Sequence, residues 1–339
     1  MNTVKFDISN YLESKTFNID NVTYKDKKVL SMNKAELTRL CKDFNFTTFL
    51  TTSFSQNKLN KGFKKYNHFK IGISLAPYEI FSKEFNINKW NKDILNYLKY
   101  NGLDKVIATI CNDATTECKK NCVIWNSGNP AYINGKQNAM VNRKEFLFIN
   151  PILFLAVYIR YIELYTSYCI NNHYLLSIRK NIASDIAYEK IKIVYKNKVN
   201  TFSNIAYDLT QKTKMTNDND IKDLKNYDYT KKVNRISSNK YKLVYSVNSF
   251  DNDKTLMAIK NKQSLAIIFN IGMNKELPKK YTVNNRVFKV IDADKNDYLG
   301  ITNEQVIFGL RFKYKARDNK QTRLNKLNKA ILNGFCRIA

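Results

Sequence analysis

Histidine, glycine, proline and acid are all scarce in this sequence, and each scarcity excludes something. The two histidines, His68 and His173, lie far apart, so the chain has neither a His-x-His metal pair nor an HExxH motif. Any catalysis here rests on carboxylates, tyrosines, lysines or cysteines. Nine glycines and four prolines in 339 residues are too few for collagen-like, glycine-linker or proline-rich architectures, and long flexible linkers are not expected. The longest apolar run, PILFLAVYI at 151–159, stops at Arg160 and Glu163. A membrane span needs about twenty residues, so a buried helix is expected instead, with Asn150 as its cap and Pro151 in its first turn. Six cysteines in a chain this long do not make a disulfide scaffold, and the first residues carry no signal-peptide pattern. A reducing host cytoplasm and no membrane partner are expected.

Acid is scarce relative to base: 29 Asp and Glu face 57 Lys and Arg, a formal net charge of +28. A hydrophobic fraction of 44%, with 13% aromatic residues, is enough for a core, which excludes a disordered basic tail. At roughly 150 residues per domain, the length allows one large α/β domain or a core with a smaller appendage. A folded body with such a surplus of cations points to a polyanionic partner. The 20 Phe and 22 Tyr add stacking partners for unpaired bases, and DNA is the partner expected.

The pattern divides the chain into three stretches. Residues 1–105 form a basic, aromatic-rich N-terminal region. Within it, Lys58 to Lys70 (KLNKGFKKYNHFK, with Lys64 and Lys65) alternates basic and aromatic residues and reads as a surface-lying segment. Residues 86–101 place Ile87, Trp90, Ile94, Leu95 and Leu98 at helical spacing, which predicts an amphipathic helix stopped by Gly102. Residues 106–317 form an α/β core. Its runs YLLSI (174–178), KLVYSV (242–247), SLAIIFNI (264–271), VFKVIDA (287–293) and QVIFGLRF (305–312) lack strict alternation, as strands buried on both faces do. With helices expected at Ser184 to Tyr195 and Leu256 to Asn261, the fold class is α/β, a largely parallel sheet or an incomplete β/α barrel. Thr210 to Lys225 reads as an exposed loop, and 318–339 as a basic C-terminal tail.

Several residue sets have the chemistry a site needs. Cys111, Cys118 and Cys122, spaced C-x6-C-x3-C, offer thiolates to Zn²⁺ or an iron–sulfur cluster, although the usual CxxC pair is absent. Cys169 and His173 are candidates to complete such a site. Aspartates gather at expected strand ends: Asp185, Asp228, Asp292, Asp294 and Asp297. Hard carboxylates of this kind hold Mg²⁺ or Mn²⁺ and activate a nucleophile against a phosphodiester, though aspartate also serves turns and caps. The box Tyr227, Asp228, Tyr229, Thr230, Lys231 combines a phenol able to attack phosphate, a carboxylate and an ammonium for the developing charge. Arg179, Arg311, Lys313, Lys315, Arg317 and Arg323, with Lys64 and Lys65, are the candidate phosphate contacts.

Five segments follow one another in a recognisable order: CNDATTECKKNC (111–122), IRKNIASDI (178–186), NYDYTKK (226–232), VIDADKND (290–297) and VIFGLRFKYKAR (306–317). Together they resemble the gene-product-88-like domain of bacteriophages. The chain as a whole is also similar to the replication-associated proteins of plectroviruses, small filamentous phages of wall-less bacteria. That resemblance implies binding to phage or plasmid replicative-form DNA and origin nicking, with Tyr227 or Tyr229 joined to a 5′ phosphate. The missing histidine pair means that carboxylates would have to hold the metal. Two alternatives stand beside it. One is a transglycosylase-like enzyme on a β/α barrel, with Asp228 or Asp185 as nucleophile and structural zinc on the cysteines. The other is a DNA-binding protein without catalysis.

The charge alone yields a first test. The purified chain should be retained on heparin at low ionic strength and elute as salt rises; passage without retention would remove the polyanion reading.

Overall fold

Two units make up the chain, Met1–Asn112 with Gly135–Asn226, and Asp113–Asn134 with Tyr227–Ala339. This division differs from the boundaries at 105 and 317 drawn on composition. The computed structural model describes residues 4–55, 59, 67–76, 87–102, 106–111, 113, 114, 116, 118, 136–214, 226–247, 252–272, 274–295, 304–314 and 318–339. Lys64, Lys65, Cys122, Asp297, Lys315 and Arg317 lie outside the described residues, as does 215–225 of the expected loop.

The first unit contains β1 (Val4–Asp7), α1 (Ile8–Glu13), β2 (Thr16–Asn18), β3 (Thr23–Tyr24), β4 (Lys27–Lys28), α2 (Lys34–Asp43), β5 (Thr51–Thr52), β6 (His68–Gly72), α3 (Lys92–Tyr100), β7 (Val106–Thr109), α4 (Lys136–Ile149), α5 (Pro151–Asn171), β8 (Leu175–Arg179), β9 (Lys192–Tyr195), β10 (Lys198–Thr201) and α6 (Phe202–Gln211). The long helix α5 begins as expected: the Asn150 side chain accepts from the Leu153 N–H at 3.1 Å, and Pro151 occupies the first turn. It continues past the apolar run because Arg160 finds oxygens, donating to Met32 O at 2.7 Å and to Glu163 at 2.9 Å. Among the described residues no helix is long and apolar enough to cross a membrane. Phe49 stacks on Tyr161 of α5 with ring centroids 5.5 Å apart, and Phe6, Tyr11, Phe17 and Leu37 join the same core. The aromatics of the N-terminal stretch named here therefore pack inward. Helix α3 buries Ile94 and Leu98 and ends before Gly102 at φ 65°.

Three expectations change here. Ser184 to Tyr195 is not a helix: its last residues form β9, which pairs antiparallel with β10. Lys196 and Asn197 take φ of 53° and 61°, the two left-handed residues of a tight hairpin. The Asp20 carboxylate holds that turn, accepting from both N–H groups at 2.7 and 2.8 Å. Thr210 belongs to the last turn of α6 and is buried. The end of the Lys58 to Lys70 segment is a buried strand, β6, parallel to β8 with Lys70 beside Ser177 and Gly72 beside Arg179.

The second unit contains β11 (Asn226–Thr230), β12 (Tyr241–Ser246), α7 (Asn252–Lys260), β13 (Ser264–Phe269), β14 (Lys280–Val283), β15 (Arg286–Asp292), β16 (Ile307–Arg311), α8 (Lys320–Leu332) and β17 (Cys336–Arg337). Strand order is β14-β15-β16-β13-β12-β11, with β17 beside the end of β13. The pairs β12–β13, β13–β16 and β15–β16 are parallel, and β14–β15 is an antiparallel hairpin. Along β13, Leu265, Ile267 and Phe269 enter one apolar cluster while Ala266 enters another; Ile307 and Phe308 of β16 divide the same way. Both faces are covered, which is why the strands read as continuous apolar runs. The fold is α/β with a mostly parallel sheet, and among the described residues neither unit's sheet closes into a barrel.

Gly72 shows how tightly the β6–β8 pair is set. A Cβ there would lie 2.4 Å from the Arg179 carbonyl oxygen and 2.8 Å from the Ile182 side chain. Backbone cannot yield as a side chain does, so Gly72→Ala should cost about 2–3 kcal/mol, read as a lower urea midpoint with the far-ultraviolet spectrum kept.

Candidate functional site

In the first unit the chain leaving β8 is bent by its own polar side chains. Asn181 Oδ1 accepts from Ser184 Oγ at 2.6 Å and from the Ile186 N–H at 3.0 Å, while its amide donates to Ile186 O at 2.9 Å. This loop crosses the ends of two strands: Ile182 N–H donates to Ile73 O after β6, and Asp185 N–H to Ile110 O after β7, at 2.8 Å. Strand ends of this kind are where α/β folds place their chemistry. Asp185 is buried there, and Cys111, half-buried, points its thiol at Ala183 O, 3.5 Å away. Arg179 and Lys180 are buried beside it in sequence, and Lys144 of α4 is fully buried. Burial pushes Lys144 down to about 7, against the attraction of Cys111. Arg143, next to it, is lowered to about 10 by burial, and donates to Thr48 O at 2.7 Å and Ser74 O at 3.1 Å.

Cys111 and Cys118 are the described members of the candidate cysteine set. Cys111 belongs to the first unit; Cys118 belongs to the second and packs against the cluster of Phe312, Ala330, Phe335 and Cys336. Cys169 is buried in α5, its thiol pushed up to about 12 by burial, and exposed His173 follows the helix at φ 54°. Among the described residues no three His, Cys, Asp or Glu side chains come together as a metal would require.

In the second unit, β11 carries the tyrosine box, and strand alternation sorts it. Tyr227 is fully buried in the cluster of Val244, Ala266, Val306 and Phe308, whereas Tyr229, two residues on, is half-buried against the same cluster. Asp228 is also fully buried: it accepts from the Tyr241 hydroxyl and pairs with Arg235 at 4.0 Å, and Arg235 donates to the Tyr241 oxygen at 3.0 Å. Lys231 donates to Ser246 O at 3.0 Å, tying the end of β11 to the end of β12. Of the two tyrosines in the box, Tyr229 retains access to solvent.

Asp292 and Asp294, the candidate metal ligands, and Arg311, a candidate phosphate contact, meet in one cluster. Arg311 Nη1 and Nη2 donate to the two Asp292 oxygens at 2.9 Å each, Nη2 also donates to Lys275 O at 2.7 Å, and the Arg311 N–H donates to Asp294 at 2.8 Å. Lys313 reaches the other Asp294 oxygen at 3.1 Å. A buried guanidinium held by two carboxylates and a main-chain carbonyl is an internal clasp. The tail is likewise partly built. Helix α8 is capped by Asn319, buries Ala330, and presents Lys320, Arg323 and Lys329 to solvent. Arg323 lies 5.8 Å from the ring centroid of Tyr314, and Lys326 is taken by Asp318 at 2.7 Å.

Sequence reasoning did not point to Arg235, Tyr241 or Lys144. The one signal for Lys144 is the charged NRKE interrupting the apolar residues of α4; nothing local marks Arg235. A comparison with protein families matches residues 79–326 to the model described as Gene product 88. Searches of curated proteins and of solved structures find no match.

The clasp supplies a test. Burial raises the Asp292 carboxyl, but the hydrogen bonds and charge of Arg311, with the N–H groups of Lys295 and Asp294, outweigh it and hold its pKa low. A depressed carboxyl stabilises the fold above its unfolded pKa of about 4 and loses that contribution as pH falls through the folded value. Asp292→Asn should destabilise by about 2–3 kcal/mol at neutral pH, and urea melts should show the gap to wild type closing below pH about 4.

Proposed function

Because the chain belongs to the Gene product 88 family, matched over 79–326, we propose that it is a phage protein that binds DNA, like the replication-associated proteins of plectroviruses. The supporting observation is α8. It contains no acidic residue, exposes Lys320, Arg323 and Lys329, and sets Arg323 over Tyr314. Ammonium and guanidinium groups neutralise backbone phosphates and release their counterions, and an aromatic ring beside them receives an unpaired base. With a formal charge of +28 on the chain, such a helix has few acids to compete for its cations.

Origin nicking is the second reading, and the half-buried position of Tyr229 favours it over buried Tyr227. In that step the Tyr229 oxygen bonds to phosphorus, the bond to the 3′ oxygen breaks, and the 3′ oxygen leaves as a hydroxyl after taking a proton. Binding without cleavage is the better supported of the two, since Asp292 and Asp294 are engaged by Arg311 and Lys313.

Fluorescence anisotropy of labelled duplex and single-stranded DNA at rising salt tests the binding. The variant Lys320→Gln, Arg323→Gln, Lys329→Gln should bind more weakly, with a slope of log K against log salt shallower by about 2 to 3. Unchanged affinity and slope would overturn the assignment to α8. Running replicative-form DNA on denaturing gels after incubation separates the readings: a covalent protein–DNA species absent in Tyr229→Phe requires nicking.

A further inference from the structure

Strands β12, β13 and β16 are parallel, so their N-terminal ends share one edge of the second unit. That edge holds a groove of about 540 Å³, lined by Ser237, Ser238, Lys242, Lys262, Ser264 and Glu304 among others. The volume lies within the range of small-molecule sites. Its apolar floor is formed by Leu243, Val244 and Phe308, all buried.

The hydroxyls facing this groove are already oriented. Ser237 Oγ accepts from the Leu243 N–H at 3.2 Å, Ser238 Oγ from the Tyr241 N–H at 3.1 Å, and Ser264 Oγ from the Val306 N–H at 3.3 Å. A serine hydroxyl has one proton and two acceptor sites. Each oxygen here is engaged by main chain, and among the described residues its proton has no acceptor, so it remains for something in the groove. Accepting one hydrogen bond also polarises the hydroxyl as a donor. The Gln305 side chain is oriented by its own bonds, its carbonyl oxygen accepting from Arg286 at 3.1 Å and its amide donating to Ile259 O and Gln263 O. Lys242 and Lys262 add ammonium groups, which only donate. Glu304, exposed, is the one carboxylate among the described residues of the lining.

We propose that this groove binds the phosphate of a nucleotide, with Ser237, Ser238, Ser264, Lys242 and Lys262 donating to phosphate oxygens and Glu304 accepting from the ligand's own hydroxyl or amino groups. Donors predominate in this lining, whose other side-chain acceptors are the Asn239 amide oxygen and the second lone pair of each hydroxyl, and a predominance of donors is the complement of a phosphoryl group attached to a body that itself donates. The nucleotide is either free or the phosphorylated 5′ end of a DNA strand. The site is separate from α8 and from the strand ends that carry Asp292 and Lys231.

Calorimetric titration of the full chain tests it, with inorganic phosphate, a deoxynucleoside 5′-monophosphate, and one short oligonucleotide with and without its 5′ phosphate. The expected result is saturable binding of the monophosphate that falls about tenfold or more in Lys242→Gln/Lys262→Gln, with an unchanged thermal melt. A 5′-phosphate-dependent gain with the oligonucleotide, lost in the same variant, assigns the strand end as the source; a gain with the monophosphate alone assigns the free nucleotide. Absence of monophosphate binding, a loss under about fivefold in the variant, or binding of inorganic phosphate as tight as that of the nucleotide overturns the proposal. Salt-dependent DNA binding that responds to α8 but not to this groove would leave the DNA-binding reading standing without it.

Discussion

Removing a guanidinium or ammonium group from water costs several kcal/mol unless oxygens replace its hydration, and this chain has about half as many acids as bases. Main-chain carbonyls therefore take the place that carboxylates fill elsewhere. Arg143 holds Thr48 O and Ser74 O, Arg160 holds Met32 O, Lys231 holds Ser246 O, and Arg337 holds Gly334 O at 2.8 Å. Each such bond fixes a loop or strand end to the element carrying the cation, so the shortage of acid becomes a means of positioning backbone. Some cations do take carboxylates: half-buried Asp292 and Asp294 serve Arg311, and buried Asp228 serves Arg235. The cations left at the surface, those of α8 among them, have few acids in the chain to pair with, and that is the physical basis for a polyanion partner.

Whatever depends on a continuous apolar run was legible in the sequence. Helix α5 begins where its apolar run begins, and strands β8, β12, β13, β15 and β16 fall within a residue or two of the runs that announce them; for β13 and β16 the reason is burial on both faces, which keeps the run apolar. Strand β6 was hidden because Lys70 and His68 sit inside it, both buried, and a lysine in a short apolar segment reads as surface. The β9–β10 hairpin was hidden for a different reason: its turn residues are Lys196 and Asn197, without the glycine that usually marks such a turn, and its stabilising partner, Asp20, is far away in sequence.

The candidate site was legible as residue types and not as roles. Tyr227 and Tyr229 are equivalent in a string of letters and share one face of β11; their different positions along the strand leave Tyr229 half-buried and Tyr227 fully buried against the same cluster. Arg311 and the aspartates of VIDADKND looked like separate resources, one for phosphate and one for metal, until parallel β15 and β16 brought them within hydrogen-bond reach. The groove at the opposite edge combines Ser237 and Ser238 with Lys262 and Glu304, loop residues whose nearness comes only from the shared polarity of three strands.

That polarity bears on how far an analogy of fold can be taken. In open α/β sheets the carboxyl ends of the strands ordinarily receive the ligand. In the second unit those ends carry Lys231 bound to Ser246 O and Arg311 bound to Asp292, Asp294 and Lys275 O, polar groups whose hydrogen-bonding capacity is met from within. The amino ends instead carry serines whose oxygens are satisfied and whose protons, among the described residues, are not. Unmet donor capacity, and not the end of the sheet on which it lies, is what an incoming anion responds to. The groove proposed for a phosphate accordingly lies at the amino edge, while the described residues of the carboxyl edge stabilise one another through their own ion pairs.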